Sequence, residues 1–139
     1  MTRELRSPEL MSYGECLRLL SCAQVGRVVF TVAALPAVLP VTFAVADAAI
    51  VMCTGVDTRL AAAADGGVLA FEVDEVDPTS RTGWSVVVTG VAELVSDALA
   101  RLRLHGVVAP GAPGHHDVFI RLPLTVVSGR RIVAAAQVG

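Results

Sequence analysis

The segment Thr54-Gly55-Val56-Asp57-Thr58-Arg59-Leu60 gathers two hydroxyls, a glycine and a cation into one short turn. Such a set can hold an anion. Glycine lets a ligand approach the main chain closely, and a helix beginning here would aim backbone N–H groups at negative charge. The planar guanidinium of Arg59 can pair with a phosphate through two parallel hydrogen bonds. The same residues also suit an ordinary strand-to-helix turn, with Asp57 or Thr58 capping the helix and Arg59 in water.

Other constellations are weaker. Glu72, Asp74, Glu75 and Asp77 resemble paired carboxylates for acid–base or metal chemistry, yet no histidine or nucleophile adjoins them, so a solvated acidic turn is expected. His115-His116-Asp117 lacks a spaced third ligand, and adjacent histidines diverge on a regular backbone. They are read as loop residues, His116 being the better placed to meet a substrate. Arg130 and Arg131 follow a glycine and face either substrate or water. Cys16, Cys22 and Cys53 have no metal-ligand spacing and read as buried thiols of a reducing cytoplasm, with no metal expected. Dinucleotide, P-loop and nucleophile-elbow motifs are all missing from the sequence. No side chain is assigned a catalytic role, and any catalysis would be a cofactor's own.

The elements that must position these residues are mostly strands. Ser12-Tyr13-Gly14-Glu15 has the form of a capping box, followed by a helix with Cys16, Leu17 and Leu20 on one face that stops before Gly26. Strands are expected at Val25–Val32, Val38–Val45, Ala49–Cys53 and Val68–Val73, with a helix over Thr58–Ala64 and an acidic turn over Asp74–Pro78. Trp84–Val95 alternates, with Trp84, Val86, Val88, Gly90, Ala92 and Leu94 on one face. Ser96 is expected to cap a helix over Asp97–Leu104, with a Pro/Gly-rich loop over Val107–Gly114. Two strands, Val118–Val127 and Ile132–Gln137, then flank a Ser128-Gly129 turn. The sum is a mainly β barrel of six to seven strands with short helices.

The 139 residues suit a single domain, residues 1–139, with 54% hydrophobic and 17% charged residues and a mean hydropathy of +0.66. Such an apolar chain suits a barrel that buries a second face in a dimer. A net charge of −2 with scattered arginines offers nothing to nucleic acid or an anionic membrane. The N-terminus carries charges and Pro8 where a signal peptide needs an apolar core, so a cytoplasmic protein is expected. Val28–Ala46 is free of charge, but Pro36 and Pro40 interrupt it, and two buried strands joined by a turn explain it better than a membrane helix.

The order of these segments and several of their words resemble the flavin-binding split-barrel family of pyridoxamine 5'-phosphate oxidase-like proteins, in particular its small actinobacterial-type members. The resemblance rests on Glu15-Cys16-Leu17 with Val25-Gly26-Arg27-Val28, on Pro40-Val41-Thr42, and on Thr54–Leu60. It continues through Phe71–Asp77, Gly83–Val88 with Gly90, Phe119–Pro123 and Ser128–Ile132, and so covers nearly the whole chain.

The resemblance implies a homodimer with FMN at the subunit interface and redox chemistry on a small molecule. Thr54, Thr58 and Arg59 would hold the phosphate. Pro40, Val41 and Thr42 would back the ring, and Trp84 and Ser85 would approach it, from the second subunit in one arrangement. Two positions depart from the family pattern: Cys53 stands where an arginine is frequent, and Arg59 where a lysine is common. Losing one charged hydrogen bond weakens binding by about 1.5–3 kcal/mol. That leaves a cofactor-free or flavin-storing dimer as the rival reading, beside relatives of this fold that use haem or the deazaflavin F420.

Overall fold

The computed structural model describes residues 9–55, 58–108 and 117–133. Nine antiparallel strands and three short helices follow one another as β1 (Glu9–Leu10), α1 (Tyr13–Cys22), β2 (Val25–Val32), β3 (Leu35–Ala46), β4 (Ala49–Gly55), α2 (Arg59–Ala63), β5 (Val68–Val76), β6 (Gly83–Val91), β7 (Glu93–Leu94), α3 (Ala98–His105), β8 (Asp117–Pro123) and β9 (Val126–Ile132). The mainly β split-barrel fold is as expected, but the strands number nine rather than six to seven. The excess is β1 and β7, two residues each and too short to leave an alternating pattern.

The sheet runs β1-β9-β6-β5-β2-β3-β4-β8-β7. Its curl is visible in the chain itself: β6 pairs with β5 and β9, and only Ala92 later β7 pairs with β8 at the far end of the order. One stretch therefore belongs to both sides. Val95 N extends it, donating to Phe119 O at 2.9 Å. A Cβ on Gly90 of β6 would stand 3.6 Å from Leu122 of β8.

Alternation fills the interior. Val28 and Phe30 of β2, Leu69, Phe71 and Val73 of β5, and Val86 and Val88 of β6 are all buried, joined by Ile50, Met52, Ile120 and Leu122. Phe43 and Phe71 meet edge to face with ring centroids 4.7 Å apart. A Cβ on Gly26 would lie 2.2 Å from Phe71 Cζ, so this strand position must be bare for the ring to lie on the backbone. The described residues include no buried polar side chain. A polar cofactor therefore finds no partner inside the barrel, and the site belongs on its outside.

Several local expectations change. Pro36 and Pro40 do not interrupt β3 but lie within it. Phe43 N donates toward β2, to Gln24 O at 3.0 Å, so period two turns the imino nitrogens of residues 40 and 36 to the other edge, where no ladder bond is lost. The first half of β3 is also not buried: Leu35 is 70% and Val38 57% exposed. Strand β5 runs to Val76, so Glu72, Asp74 and Glu75 are strand residues and the turn begins at Asp77, whose Oδ1 accepts from Thr79 N and Ser80 N. Asp97 rather than Ser96 caps α3, its carboxylate accepting from Ala100 N.

No turn forms at Ser128-Gly129. The chain reverses between Pro123 and Val126, because Leu124 is buried and its N–H binds Ala48 O, and residues 128 and 129 lie inside β9. The reversal thus breaks the strand expected over Val118–Val127, and of the strand expected over Ile132–Gln137 only Ile132 is in β9, residues 134–137 lying outside the described residues. The capping box of α1 forms as expected, with Ser12 Oγ accepting from Glu15 N at 3.2 Å. Glu15 carries its carboxylate on to Arg131 of β9, which ties the helix to the sheet.

Candidate functional site

Strand β4 ends at Gly55, and α2 starts at Arg59. Thr58 is the N-cap: its Oγ1 accepts from Ala61 N at 3.1 Å and donates to Gly55 O at 2.9 Å. Thr54 Oγ1 lies 3.3 Å from Thr58 Oγ1, so the two hydroxyls do come together. With the Thr58 proton on Gly55 O, Thr54 is the donor to Thr58, so both hydroxyl protons are used within the turn. Arg59 is exposed, has no acidic partner among the described residues, and lines a cavity of about 270 Å³ with Thr31, Val32 and Ala33 of the β2–β3 hairpin and Ala62 and Ala63. A solvent-facing cation suits a phosphate, and Arg59 can hold one, with the internal hydrogen bonds of Thr54 and Thr58 as a restriction. Asp57 lies outside the described residues.

The expected ring-contacting residues do not share one side of the sheet. On β3, Pro40 and Thr42 stand on the outer face, whereas Val41 turns inward and packs against the main core. On β6, Ser85 is outward, while Trp84 shares the inward parity of Val86 and Val88 and packs on the same core. The pair Trp84 and Ser85 therefore does not approach one ligand side by side, since adjacent strand residues point to opposite faces. Ser85 is also separated from Thr42 by β5 and β2, three strand spacings or about 14 Å. Cys53 packs, half-buried, against the smaller cluster of Val51, Leu104, Val108 and Phe119.

The outer face of the five strands β9-β6-β5-β2-β3 has a divided character. One row is apolar or neutral, running Val126, Thr89, Ala70, Val29, Val38, with Val68 and Val91 beside it. The next carries charge, running Ser128, Val87, Glu72, Arg27, Pro40. Past it stand Asp74, Ser85 and Arg130.

Arg27 Nη1 lies 3.3 Å from both Glu72 Oε1 and Asp74 Oδ2. Burial first, then the hydrogen bond and charge of Asp74, push Glu72 up to about 7 against the opposing Arg27. Sequence reading took these acids for a solvated turn. The signal it missed is the i, i+2 spacing of Glu72 and Asp74 about the buried Val73.

Arg130 stands on this outer face, whereas Arg131 is held by Glu15. His115 and His116 lie outside the described residues. Among the described residues no group of histidine, cysteine or acidic side chains could hold a metal, and no helix is long and apolar enough to cross a membrane. None of the three cysteines is in a disulfide, and of the thiols expected to be buried Cys22 is exposed; burial pushes Cys16 up, so it stays protonated and inert. A larger cavity, about 330 Å³, lies under α3 between Val51, Val95, Leu104, Arg103 and Arg121, apart from the Thr54–Arg59 turn. Its Arg121 is already held by Glu93 and by Asp47 O.

Comparison with known proteins follows the same lines. The family model for pyridoxamine 5'-phosphate oxidase matches residues 12–131. An uncharacterized protein of Mycobacterium tuberculosis, Rv0080, is 42% identical over 128 residues, covering 88% of this chain and 84% of that one. The FAD-binding protein of Mycobacterium smegmatis is similar in structure with a TM-score of 0.74 and 30% identity, over 91% of this chain and 99% of that one. A putative pyridoxamine 5'-phosphate oxidase of Corynebacterium glutamicum gives a TM-score of 0.78 at 25% identity, over 96% of this chain and 100% of its own. With the family model spanning nearly every described element from α1 to β9, this chain belongs to the pyridoxamine 5'-phosphate oxidase family.

Proposed function

We propose that the chain is a homodimeric FMN-binding protein that serves redox chemistry on a small molecule. The observation that carries this reading is Arg59, exposed at the start of α2 and lining the cavity against the β2–β3 hairpin, with no acidic partner among the described residues. Arg59 would bind the phosphate as a bidentate cation, and Thr54 would donate to it by giving up its bond to Thr58, while Thr58 keeps the α2 turn in shape. Pro40, Val41 and Thr42 would back the ring with main chain and apolar surface. Ser85 lies too far from them within one chain and would come from a second copy laid on the outer face. Trp84 would support that strand from inside. Bound flavin supplies the hydride and electron transfer, and the chain's part is to bind, orient and exclude water.

The FAD-binding relative at 30% identity supports a flavin of either length. A cofactor-free or flavin-storing dimer is the second reading, favoured by the use of Thr58 in its cap and by Cys53 facing a packed cluster.

The test is the visible spectrum of the purified full chain, followed by titration of the colourless form with FMN and FAD. Flavin bands, or saturable binding in the micromolar range or tighter, support the cofactor role, and the tighter of the two ligands names the flavin. A protein that ignores both overturns it and moves the choice to the cofactor-free, haem and deazaflavin readings.

A further inference from the structure

The outer face carries one group of charges that does not balance. Glu72 and Asp74 are two residues apart on β5, so both project outward on the same side. One guanidinium nitrogen of Arg27 serves both, at 3.3 Å to each. Glu72 faces Arg27 on β2 and Val87 on β6, and next along that row are Pro40 on β3 and Ser128 on β9. Asp74 faces Ser85, beyond which Arg130 of β9 is two strand spacings, or about 10 Å, away. Two carboxylates thus share one close cation, and the nearer rows offer no second one.

We propose that Glu72 and Asp74 hold one proton between them on the face a second copy covers, so that self-association takes up protons and weakens as pH rises. This rests on the homodimer reading above. With the proton in place, Glu72 donates to Asp74 and the group of three is neutral with Arg27, a form that can leave water at small cost. Without it the group carries one uncompensated negative charge. Covering the face removes the water that screens the two carboxylates from each other and so disfavours the fully ionised form. A two-fold axis presents the group twice, doubling the dependence. In the uncovered chain, too, burial and Asp74 already push Glu72 up, to about 7.

Sedimentation equilibrium of the full chain and of Glu72→Gln from pH 6 to pH 9 tests this. The wild-type dimer is expected to weaken by about tenfold or more across that range, because two carboxyls are desolvated per dimer. Glu72→Gln should stay associated, with an affinity independent of pH. The Asp74→Asn variant, which leaves Glu72 a neutral neighbour, should flatten the profile in the same way if either variant folds poorly. A wild-type affinity that is constant, or that tightens as pH rises because Arg130 of the second copy neutralises the pair, overturns the proposal and leaves the homodimer standing. A chain that is monomeric at every pH overturns the homodimer reading itself. Carbon-13 NMR of the Glu72 carboxyl is then the separate measure: a midpoint in the ordinary glutamate range rejects the shared proton as well.

Discussion

Gly129 of β9 faces Cys16 of α1 so closely that a Cβ at Gly129 would lie 2.5 Å from Cys16 Sγ. The first described helix and the last described strand meet at this point, and Cys16 is buried there. Gly129→Ala is expected to force α1 off the sheet and destabilise by about 1–3 kcal/mol, the usual cost of overpacking. Urea denaturation measures it, and Cys16→Ala in the same chain should restore most of the loss.

The two tight hairpins break the usual turn chemistry. Ala33 and Ala34 have φ of 50° and 65°, and Asp47 and Ala48 have 51° and 57°, where hairpins favour Asn-Gly or Asp-Gly. Each alanine sits in the left-handed region at a cost of about 1 kcal/mol. Ala48→Gly, which completes an Asp-Gly turn, is expected to stabilise the fold by roughly 0.5–1 kcal/mol. An unchanged denaturation midpoint at constant m would show that the strain is not there.

Cofactor binding should answer to Arg59. Arg59→Ala is expected to weaken FMN binding by about tenfold to a hundredfold, while Arg59→Lys retains most of it. Because Arg59 is exposed, thermal stability should change little. Flavin fluorescence titration and a melting curve on the same samples separate the two effects. An Arg59→Ala protein with wild-type affinity removes the phosphate assignment.

Glu72 gives the folded chain a pH dependence with a definite sign. Its folded value, about 7, lies above the ordinary 4.5, so between these the folded state binds the extra proton. This group's contribution to stability is present below pH 4.5, declines as pH rises toward 7, and is gone above it. Chemical denaturation at fixed protein concentration should show wild type losing stability from pH 5 to pH 8, with a smaller loss in Glu72→Gln. Equal slopes in both would locate the pH dependence elsewhere.

The outer apolar row predicts where a second copy rests. Val38 is 57% exposed, opposite Val29 at the β3 end of that row. Val38→Lys puts a charge into the proposed contact and should yield a monomer with an unchanged circular dichroism spectrum. Size exclusion with light scattering reads the mass directly, and a persistent dimer would place the interface on another face.

What the sequence determined by itself are the features that depend on near neighbours. The Ser12 capping box, the strand over Val25–Val32 and the helix beginning after Thr58 all formed, because caps and period-two alternation act over a few residues. The Thr54–Arg59 turn was legible for the same reason. Tertiary structure alone decided which residues share a face and which strands meet. Ser85 and Thr42, both on outward faces, are held three strands apart by the sheet order, while Arg27 and Glu72 are 45 residues apart and in contact. Glu72 acquires its raised proton affinity because the folded sheet half-buries it beside Asp74, while Arg27, brought there by the β2–β5 register, opposes the shift. The turn expected at Ser128-Gly129 gave way for a like reason: both residues pair with Val87 and Val86 of β6, far back in the chain. Register and curvature are set by long-range pairing and packing, and no window of a few residues contains them.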